Sequence, residues 1–489
     1  MHRRVLLLVG IMAASACRIG LQGTLLENQA PETYLIVDTI IRSGNDRLSA
    51  QVQIHWWGND PDGYIIGYEF TTGGDAQGTV EWHFTSKQDS TFLLTIPPGA
   101  DSVDVPFRIR AIDHLGLADP TPAQLTFPIK NSPPTVQFRY AENNPLKSFP
   151  VLRFYWEGSD PDGVQDLLRY ELCWNDTLAL PYSVPATTTS AVFEAVDPKA
   201  MLTDCRVYYN NITVAAAELM PGLITGDTNV LYVRAVDQAE AQSPWMAAKP
   251  VLVKRPLSDV LIVDGYISNG NTVTAFYRDQ LNAIGIAEAD TLQLFEKIGN
   301  TYTQQSADYF TQAKVFALFQ RIIWFTNDAA RSLSIGQRCL NDFFNANGRL
   351  LMSVYVSSLF DEQSDFLDFT PLSNFIVPSD TTLLLTDTSM IFSLKPGFPD
   401  LQSSAYVGVV RPFELVPGAE PLYKAELIAK DNSNLTLSLW QGPSVVMASK
   451  ANSAGQTHFI FSTLELHRLN GLGNMHIFFD HVFNTLFDW

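Results

Sequence analysis

Polar and apolar residues alternate along several segments in the first half of the chain. The clearest are AQVQIHWWG (50–58) and FRIRAID (107–113). Successive residues of a β-strand face opposite sides of a sheet, so this period predicts half-buried strands. Because Pro and Gly separate many such short segments up to residue 253, the pattern predicts β-sandwich domains.

Three parts of this first half recur about one hundred residues later in the chain. The middle part, WWGNDPDG (56–63), returns as WEGSDPDG (156–163). The flanks return too: NQAPETYL (28–35) matches NSPPTVQF (131–138), and VPFRIRAIDHLGLADPTP (105–122) matches VLYVRAVDQAEAQSPW (230–245). A start, a middle and an end that all recur predict two copies of one domain.

The second copy is longer than the first. We place its insertion between Trp174 and Asn229, a stretch that contains TTTSAVFEAV (187–196) and the segment around Cys205. Cys173 and Cys205 fall in this one predicted domain and form a candidate disulfide, although sequence spacing does not fix the geometry that a bridge requires.

The repeated Asp-Pro-Asp-Gly segment has a local explanation as a turn. Pro presets φ, Asp side chains accept hydrogen bonds from nearby backbone N–H groups, and Gly accepts a positive φ. We expect four aromatic residues on the flanking strands to pack into the core: Trp57, Trp156, Tyr68 and Tyr170. With these motifs, residues 28–253 resemble fibronectin type III and PKD-like modules, which implies an immunoglobulin-like sandwich.

A calcium site is the alternative interpretation of the two turns. Hard carboxylate oxygens of the kind that Ca²⁺ prefers are offered by Asp60, Asp62, Asp160 and Asp162. Asp113 and Asp237 can approach from neighbouring strand ends. Because Ca²⁺ takes about six to eight ligands and neither turn supplies that number alone, we expect structural turns and keep the four aspartates as weaker calcium candidates.

After residue 259 the pattern changes to alternating strands and helices. Apolar runs predict buried strands at DVLIVDGY (259–266), RIIWFTND (321–328) and RLLMSVYV (349–356), with helical patterns between them. QTHFIFSTLEL (456–466) and MHIFFDHVFNTLFDW (475–489) add one more strand and a closing helix. This alternation predicts a parallel α/β sheet.

Residues 258–489 resemble the class I glutamine-amidotransferase-like, flavodoxin-like group in element order and in these short segments. The resemblance implies a nucleophilic Cys just after the strand RLLMSVY, but the chain has Met352-Ser353-Val354-Tyr355-Val356 there. G-x-S-x-G is absent from the whole chain. Asp264, Asp328 and Ser353, near strand ends, remain candidates for a ligand crevice. No Gly-rich phosphate loop follows Asp264, so we predict no cofactor.

The formal net charge of −19 argues against nucleic acid as a partner, because an acidic chain repels phosphate backbones. MHRRVLLLVGIMAASAC (1–17) has the basic start, apolar run and small residues of an export signal. Ala14-Ser15-Ala16-Cys17 resembles the bacterial lipobox, which implies cleavage before Cys17 and its acylation. The alternative is an ordinary signal peptide with an incidental cysteine.

These observations predict a multidomain chain: signal peptide 1–17, tether 18–29, β-sandwiches 30–130 and 131–255, and an α/β flavodoxin-like domain 256–489. We expect a non-catalytic bacterial cell-envelope lipoprotein that binds a protein or a glycan. Arg18 is not the aspartate of an inner-membrane retention signal, so the outer membrane is the expected location. The alternative is a secreted hydrolase acting on an extracellular peptide or glycan through Ser353 or the pair Asp264 and Asp328. A third reading is a subunit of an envelope assembly.

Overall fold

The computed structural model describes residues 27–37, 51–72, 81–94, 96–140, 146–162, 164–267, 271–298, 301–304, 308–357 and 369–488. The predicted signal peptide and Cys17 lie outside these ranges. The chain divides into two compact units. The first comprises Met1–Pro134, Ser159–Leu167 and Asp237–Ala241, and the second comprises Thr135–Gly158, Leu168–Val236 and Gln242–Trp489. No helix among the described residues is long and apolar enough to cross a membrane.

The first sandwich has two antiparallel sheets, with strand orders β1-β2-β5 and β4-β3-β6-β7. Its strands are β1 Glu32–Val37, β2 Gln51–Asn59, β3 Ile65–Thr72, β4 His83–Thr85, β5 Asp89–Leu93, β6 Ser102–Asp113 and β7 Ala123–Lys130. The alternating residues of β6 put Phe107, Ile109 and Ala111 into the core with no exposed surface. The predicted alternation is therefore realised as a two-sheet core.

The second sandwich repeats this arrangement. Its strands are β8 Thr135–Arg139, β9 Lys147–Ser148, β10 Val151–Ser159, β11 Leu167–Trp174, β12 Tyr182–Pro185, β13 Ser190–Ala195, β14 Leu202–Tyr209, β15 Met220–Ile224, β16 Asp227–Asn229, β17 Leu231–Asp237, β18 Met246–Ala247 and β19 Val251–Val253. The main sheets run β15-β14-β13-β10-β8 and β12-β11-β17-β18, with a small sheet β16-β19-β9 beside them. Strands β8, β10 and β13 thus correspond to β1, β2 and β5. Both copies are immunoglobulin-like β-sandwiches.

The insertion is shorter than the sequence suggested. The segment TTTSAVFEAV contains β13, which pairs with β10 as β5 pairs with β2. The added elements are β14 and β15, which extend the sheet beyond β13. Placing residues 187–196 in the insertion was therefore wrong, because an edge-extending hairpin adds strands after the shared one.

One aromatic pair recurs in the two cores. Trp56 and Tyr68 meet edge to face with ring centroids 6.3 Å apart, and Trp156 and Tyr170 do the same at 6.1 Å. All four are buried. The prediction that Trp57 fills this place was wrong by one residue, since Trp57 faces outward on β2 and stacks on Tyr34. A shift of one residue along a strand moves a side chain to the opposite face.

The C-terminal region is built on a nine-stranded mixed sheet in the order β21-β20-β24-β25-β35-β34-β31-β28-β29. Neighbours from β21 to β35 pair in parallel, and the remaining pairs are antiparallel. The strands are β20 Val260–Asp264, β21 Asp290–Gln293, β22 Phe295–Ile298, β23 Thr301–Gln304, β24 Arg321–Thr326, β25 Arg349–Val354, β26 Leu372–Phe375, β27 Thr381–Leu384, β28 Met390–Ser393, β29 Leu401–Gln402, β30 Phe413–Leu415, β31 Glu420–Ala425, β32 Ile428–Asp431, β33 Leu437–Leu439, β34 Val445–Ala451 and β35 Thr457–Ser462.

Helices are few beside these strands. The α-helices are Asn271–Ala283, Tyr309–Phe316, Ala329–Cys339, Asn341–Asn345 and Met475–Asp480, followed by a π-helix at His481–Leu486. Short 3₁₀ turns lie at Val164–Asp166 and Leu466–Arg468. The antiparallel strands β26–β34, which the sequence pattern did not predict, make the region richer in sheet than an alternating α/β chain.

The nine-stranded sheet is covered on both faces by apolar clusters. One cluster includes Phe149, Val151 and Val192 from the second sandwich together with Phe319 and Trp324. Phe149 and Phe319 meet edge to face at 5.1 Å. This shared core explains why most of the second sandwich and the C-terminal sheet form one compact unit.

Candidate metal centre and strand-end crevice

The parallel strands β20, β24 and β25 bring Asp264 and Ser353 to the same edge of the sheet. Asp264 pairs with Phe325, and Phe325 pairs with Ser353, so the two lie in one row across three strands. With strands spaced about 4.8 Å apart, their backbones are about 10 Å apart. Asp328 follows the end of β24. Asp264 and Ser353 thus lie near the carboxyl ends of their strands, and Asp328 lies just beyond the end of β24.

Ser353 is not placed as a nucleophile. Its side chain is buried, its Oγ donates to Leu464 O at 3.1 Å, and it accepts from Leu466 N at 3.1 Å. A catalytic serine needs an exposed Oγ beside a general base. The hydroxyl of Ser353 instead holds the chain that follows β35 against β25, which is a structural role.

Asp328 and Asp264 are also engaged locally. Asp328 caps the helix Ala329–Cys339 by accepting from Arg331 N at 3.1 Å, and it pairs with the Arg331 guanidinium at 2.6 Å. Asp264 accepts from Tyr266 N at 3.0 Å and from Thr274 Oγ1 at 3.2 Å. Burial raises the pKa of Asp264, and these two hydrogen bonds oppose the rise. Asp264 lines a cavity of about 430 Å³.

The same edge carries a buried polar group that the sequence did not reveal. Tyr266 donates its hydroxyl to Glu465, and Glu465 pairs with Arg468 at 2.7 Å. Nearby, burial and then the charge of Arg468 lower the pKa of His467 to about 4, so this imidazole is neutral at physiological pH. These side chains contact one another at this edge of the sheet rather than facing an open substrate site.

A larger cavity, about 830 Å³, lies beside strand β21 and shares Arg278, Thr291 and Gln293 with the lining of the Asp264 cavity. Four cationic residues line it: Lys147, Lys254, Arg255 and Arg278. Lys254 Nζ donates to Thr291 O at 2.8 Å, and Arg278 Nη2 donates to Thr291 Oγ1 at 2.7 Å, so two cations converge on one threonine. Two acidic residues, Asp290 and Glu296, also line the cavity, so the lining carries more positive than negative side chains.

Lys254 is a half-buried side chain in the wall of this cavity. Its pKa falls to about 8, first because the ammonium is desolvated and then because Lys147 and Arg278 repel it, against the attraction of Asp290. The carboxylate of Asp290 itself accepts hydrogen bonds from Leu257 N at 2.7 Å and from Ser258 N at 3.2 Å. The cavity therefore favours a negatively charged occupant.

The turn of the second sandwich brings three buried carboxylates together. One ligand oxygen from each of Asp160, Asp166 and Asp237 lies within 4.8 Å of the others. We call these residues the acidic trio. Desolvation raises the pKa of Asp160 to about 6, and repulsion from Asp162, Asp166 and Asp237 adds to it against the hydrogen bond from Asp162 N. Desolvation and then Asp237 raise the pKa of Asp166 as well.

The repeated start of the domain completes this turn. Asn131 Nδ2 donates to Asp237 Oδ2 at 2.6 Å, and Ser132 N donates to Asp162 Oδ2 at 2.8 Å. Asp162 N in turn donates to Asp160 Oδ1 at 2.8 Å. The sequence had indicated Asp160 and Asp162 as candidate calcium ligands, with Asp237 able to approach them from a neighbouring strand end. It had not indicated Asp166 or Asn131, although the recurrence of Asn28 as Asn131 was a usable signal.

The first sandwich has a similar network of hydrogen bonds. Asn28 donates to Asp113, Gln29 N donates to Asp62 Oδ2 at 3.1 Å, and Asp62 N donates to Asp60 Oδ1 at 3.3 Å. Here the second oxygen of Asp60 faces His114 Nδ1 at 3.8 Å. The residue at the position of His114 in the second copy is Gln238. The imidazole of His114 therefore faces Asp60, whereas the carboxylates of Asp166 and Asp237 lie beside Asp160.

The candidate disulfide is not formed. Cys173 and Cys205 are free and buried, and they lie on β11 and β14 of different sheets. Cys339, the last residue of the helix Ala329–Cys339, is also free and buried. Burial raises the pKa of Cys205 and of Cys339 to about 12, which suppresses the reactive thiolate.

Comparison with known proteins gave structural likenesses only. No protein-family model matches the chain, and no curated protein matches it. Solved structures similar to parts of it include the PKD1 domain of Vibrio anguillarum Epp, at 16% identity, TM-score 0.15, over 21% of this chain and 98% of that one. The fibronectin(III)-like modules of Clostridium thermocellum CbhA show 13% identity, TM-score 0.18, over 45% and 94%. A two-domain fibronectin type III segment of chicken tenascin shows 11%, 0.20, 46% and 100%.

Proposed function

We propose that the chain is a non-catalytic lipoprotein of the bacterial cell envelope, with two sandwich domains and a C-terminal domain that act in ligand binding. The observation that carries the proposal is the burial of Ser353 between Leu464 and Leu466, which leaves the expected nucleophile position without a usable hydroxyl. The side chain of Asp328 caps the helix Ala329–Cys339. Both facts weigh against the alternative, a secreted hydrolase that uses Ser353 or the pair Asp264 and Asp328.

The parallel run from β21 to β35 supports a degenerate flavodoxin-like, amidotransferase-like origin for the C-terminal domain. In such sheets ligands bind outside the carboxyl strand ends. In this chain that edge is largely filled by its own side chains, among them Tyr266 and Glu465. We therefore place ligand binding in the basic cavity beside β21 rather than in the crevice at the carboxyl strand ends.

The basic cavity supports an anionic ligand. Its volume of about 830 Å³ suits a few sugar residues or a short peptide segment, and its cations attract carboxylates. Of the two ligand classes, an acidic glycan fits better, because a cavity of this size takes a short oligosaccharide while a protein partner needs a larger surface.

We expect an oligogalacturonate probe to bind the full chain more tightly than a neutral maltooligosaccharide of equal length. Lys254→Met should weaken binding about tenfold or more, since it removes a half-buried charge from the cavity. Affinity should fall as the pH rises through about 8, because Lys254 loses its proton there. Isothermal titration calorimetry at low and high salt measures these effects.

Lys424→Met is the matched control, because it removes one positive charge from an exposed strand position outside the cavity. Equal binding of the acidic and neutral sugars, or equal losses in the two variants, would refute the cavity as the site. Binding of an envelope protein in place of the glycan, lost in Lys254→Met, would assign the cavity to a protein ligand.

The anchor of the proposal is acylation of Cys17 at the outer membrane. Because an acylated Cys17 cannot be alkylated, the number of alkylated thiols tests this anchor. Full chain taken from membranes, unfolded without reductant and alkylated, should gain three adducts, one each on Cys173, Cys205 and Cys339. Intact-mass spectrometry counts them. A fourth adduct would contradict acylation, and a single adduct in place of three would show that two of the three thiols are joined in a disulfide.

A further inference from the structure

The basic cavity continues beyond Arg278. This exposed arginine of the helix Asn271–Ala283 lines the basic cavity, the Asp264 cavity and a third cavity of about 270 Å³. Its Nη2 donates to Thr291 Oγ1 at 2.7 Å, and Thr291 and Gln293 on the edge strand β21 line both of the larger cavities. Because the cavities share these walls, they form one groove along β21.

The two ends of this groove differ in charge. At the basic end, Arg278 is joined by three further cationic side chains, against two carboxylates. At the other end, the carboxylates of Asp264 and Asp279 line the Asp264 cavity, and Arg278 is the cationic member of that lining. A negatively charged group of a ligand is therefore attracted at one end of the groove and repelled at the other.

The Asp264 end carries polar groups that suit uncharged hydroxyls. The exposed side-chain amides of Asn282 and Gln293 line it, and each amide both donates and accepts hydrogen bonds. Its volume of about 430 Å³, against about 830 Å³ for the basic cavity, gives room for a further sugar residue. This end is also separate from Ser353, which stands on β25, on the other side of β20 from β21.

We infer that the ligand of this groove is a glycan in which acidic and neutral sugars alternate, with an acidic sugar in the basic cavity and a neutral sugar beyond Arg278, in the Asp264 cavity. The inference rests on the proposed function, because it extends the ligand of the basic cavity along β21. A guanidinium has five N–H donors, and the bond from Arg278 to Thr291 leaves donors for the two sugars that meet at this junction.

Such a groove selects against two simpler polymers. A uniformly acidic chain places a second carboxylate beside Asp264 and Asp279, where like charges repel. A uniformly neutral chain offers no negative charge to Lys254 and the other cations of the basic cavity. Specificity for the alternating glycan therefore combines attraction at one end with repulsion at the other.

Calorimetry of the full chain with two tetrasaccharides of equal length tests this inference. A hyaluronan tetrasaccharide alternates glucuronate with uncharged N-acetylglucosamine, whereas tetragalacturonate is acidic at every sugar. The hyaluronan tetrasaccharide should bind about tenfold more tightly, although it carries half the negative charge. Lys254→Met should weaken the binding of both, because each places a carboxylate in the basic cavity.

Asp279→Asn tests whether the selectivity arises in the Asp264 cavity. Asp279 is exposed on its helix, so the amide variant keeps the shape of the side chain without disturbing the core. It should narrow the affinity ratio of the two tetrasaccharides by about threefold, because it removes an exposed charge that repels the second acidic sugar. Asp387→Asn is the matched control, since it removes an exposed carboxylate from the loop between β27 and β28, and it should leave the ratio unchanged.

Equal affinities for the two tetrasaccharides, or tighter binding of tetragalacturonate, would overturn the alternating ligand. The basic cavity would then remain a site for acidic glycans if Lys254→Met weakens both. If neither tetrasaccharide binds, the inference and the proposed function fail together. An unchanged ratio in Asp279→Asn, or an equal narrowing in Asp387→Asn, would place the selectivity outside the Asp264 cavity and would also refute the inference.

Discussion

Trp156→Ala should destabilise the second sandwich by about 3–5 kcal/mol, the range for truncating a fully buried tryptophan. Trp156 is 1% exposed and meets Tyr170 edge to face, so the variant leaves a large cavity at the centre of the domain. Because the chain has several domains, the loss is best read as a lower urea midpoint for this region. Hydrogen exchange of peptides from β10 and β11 reports it locally.

The first copy offers the matched experiment. Trp56→Ala should cost a similar amount in the first sandwich, while Trp57→Ala, one residue on, should cost less than about 1 kcal/mol because Trp57 is exposed. Trp56→Phe should cost more than Trp156→Phe, since only Trp56 Nε1 donates a hydrogen bond, to Lys87 O at 2.9 Å. A larger loss for Trp57→Ala than for Trp56→Ala would show that the register of β2 is shifted.

Trp324→Ala should destabilise the nine-stranded sheet by about 3–5 kcal/mol. Trp324 has no exposed surface, stands on the interior strand β24 between Val263 and Met352, and packs on Phe316 at 5.4 Å. Differential scanning calorimetry should show the loss in the transition of the second unit. The first sandwich should retain its own exchange protection, because it forms the separate first unit.

Trp324→Phe is the control, since it keeps most of the volume and breaks no hydrogen bond to a described residue, the Nε1 of Trp324 having no such partner. It should cost less than half as much as the alanine variant. If the two variants cost the same, the indole would have a partner beyond the described residues, and the cavity explanation would be wrong.

Much of the fold was predictable because its signals are local. Alternation along FRIRAID predicted β6, and the recurrence of the Asp-Pro-Asp-Gly segment predicted two copies of one sandwich. The runs at 259–266, 321–328 and 349–356 predicted the strands β20, β24 and β25. The antiparallel strands β26–β34 were missed, because short irregular segments between residues 370 and 451 carry no clear period.

The candidate sites were only partly predictable. The apolar runs placed Asp264, Asp328 and Ser353 near strand ends, yet the hydrogen bonds of each side chain depend on contacts that the sequence does not display. The hydroxyl of Ser353 is hydrogen-bonded to the backbone of Leu464 and Leu466, which lie more than one hundred positions away along the chain. Local patterns cannot show which distant backbone group will meet a hydroxyl.

By itself the sequence determined the order of the domains, the duplicated sandwich and the turn that marks it, because strand period and turn chemistry depend on neighbouring residues. The tertiary structure decided that Trp56 and not Trp57 enters the core, since this depends on strand register. It also decided that Asp160, Asp166 and Asp237 meet beside Asn131, since Asn131 and Asp237 stand 106 positions apart and are joined only by the folding of β17 against the domain start.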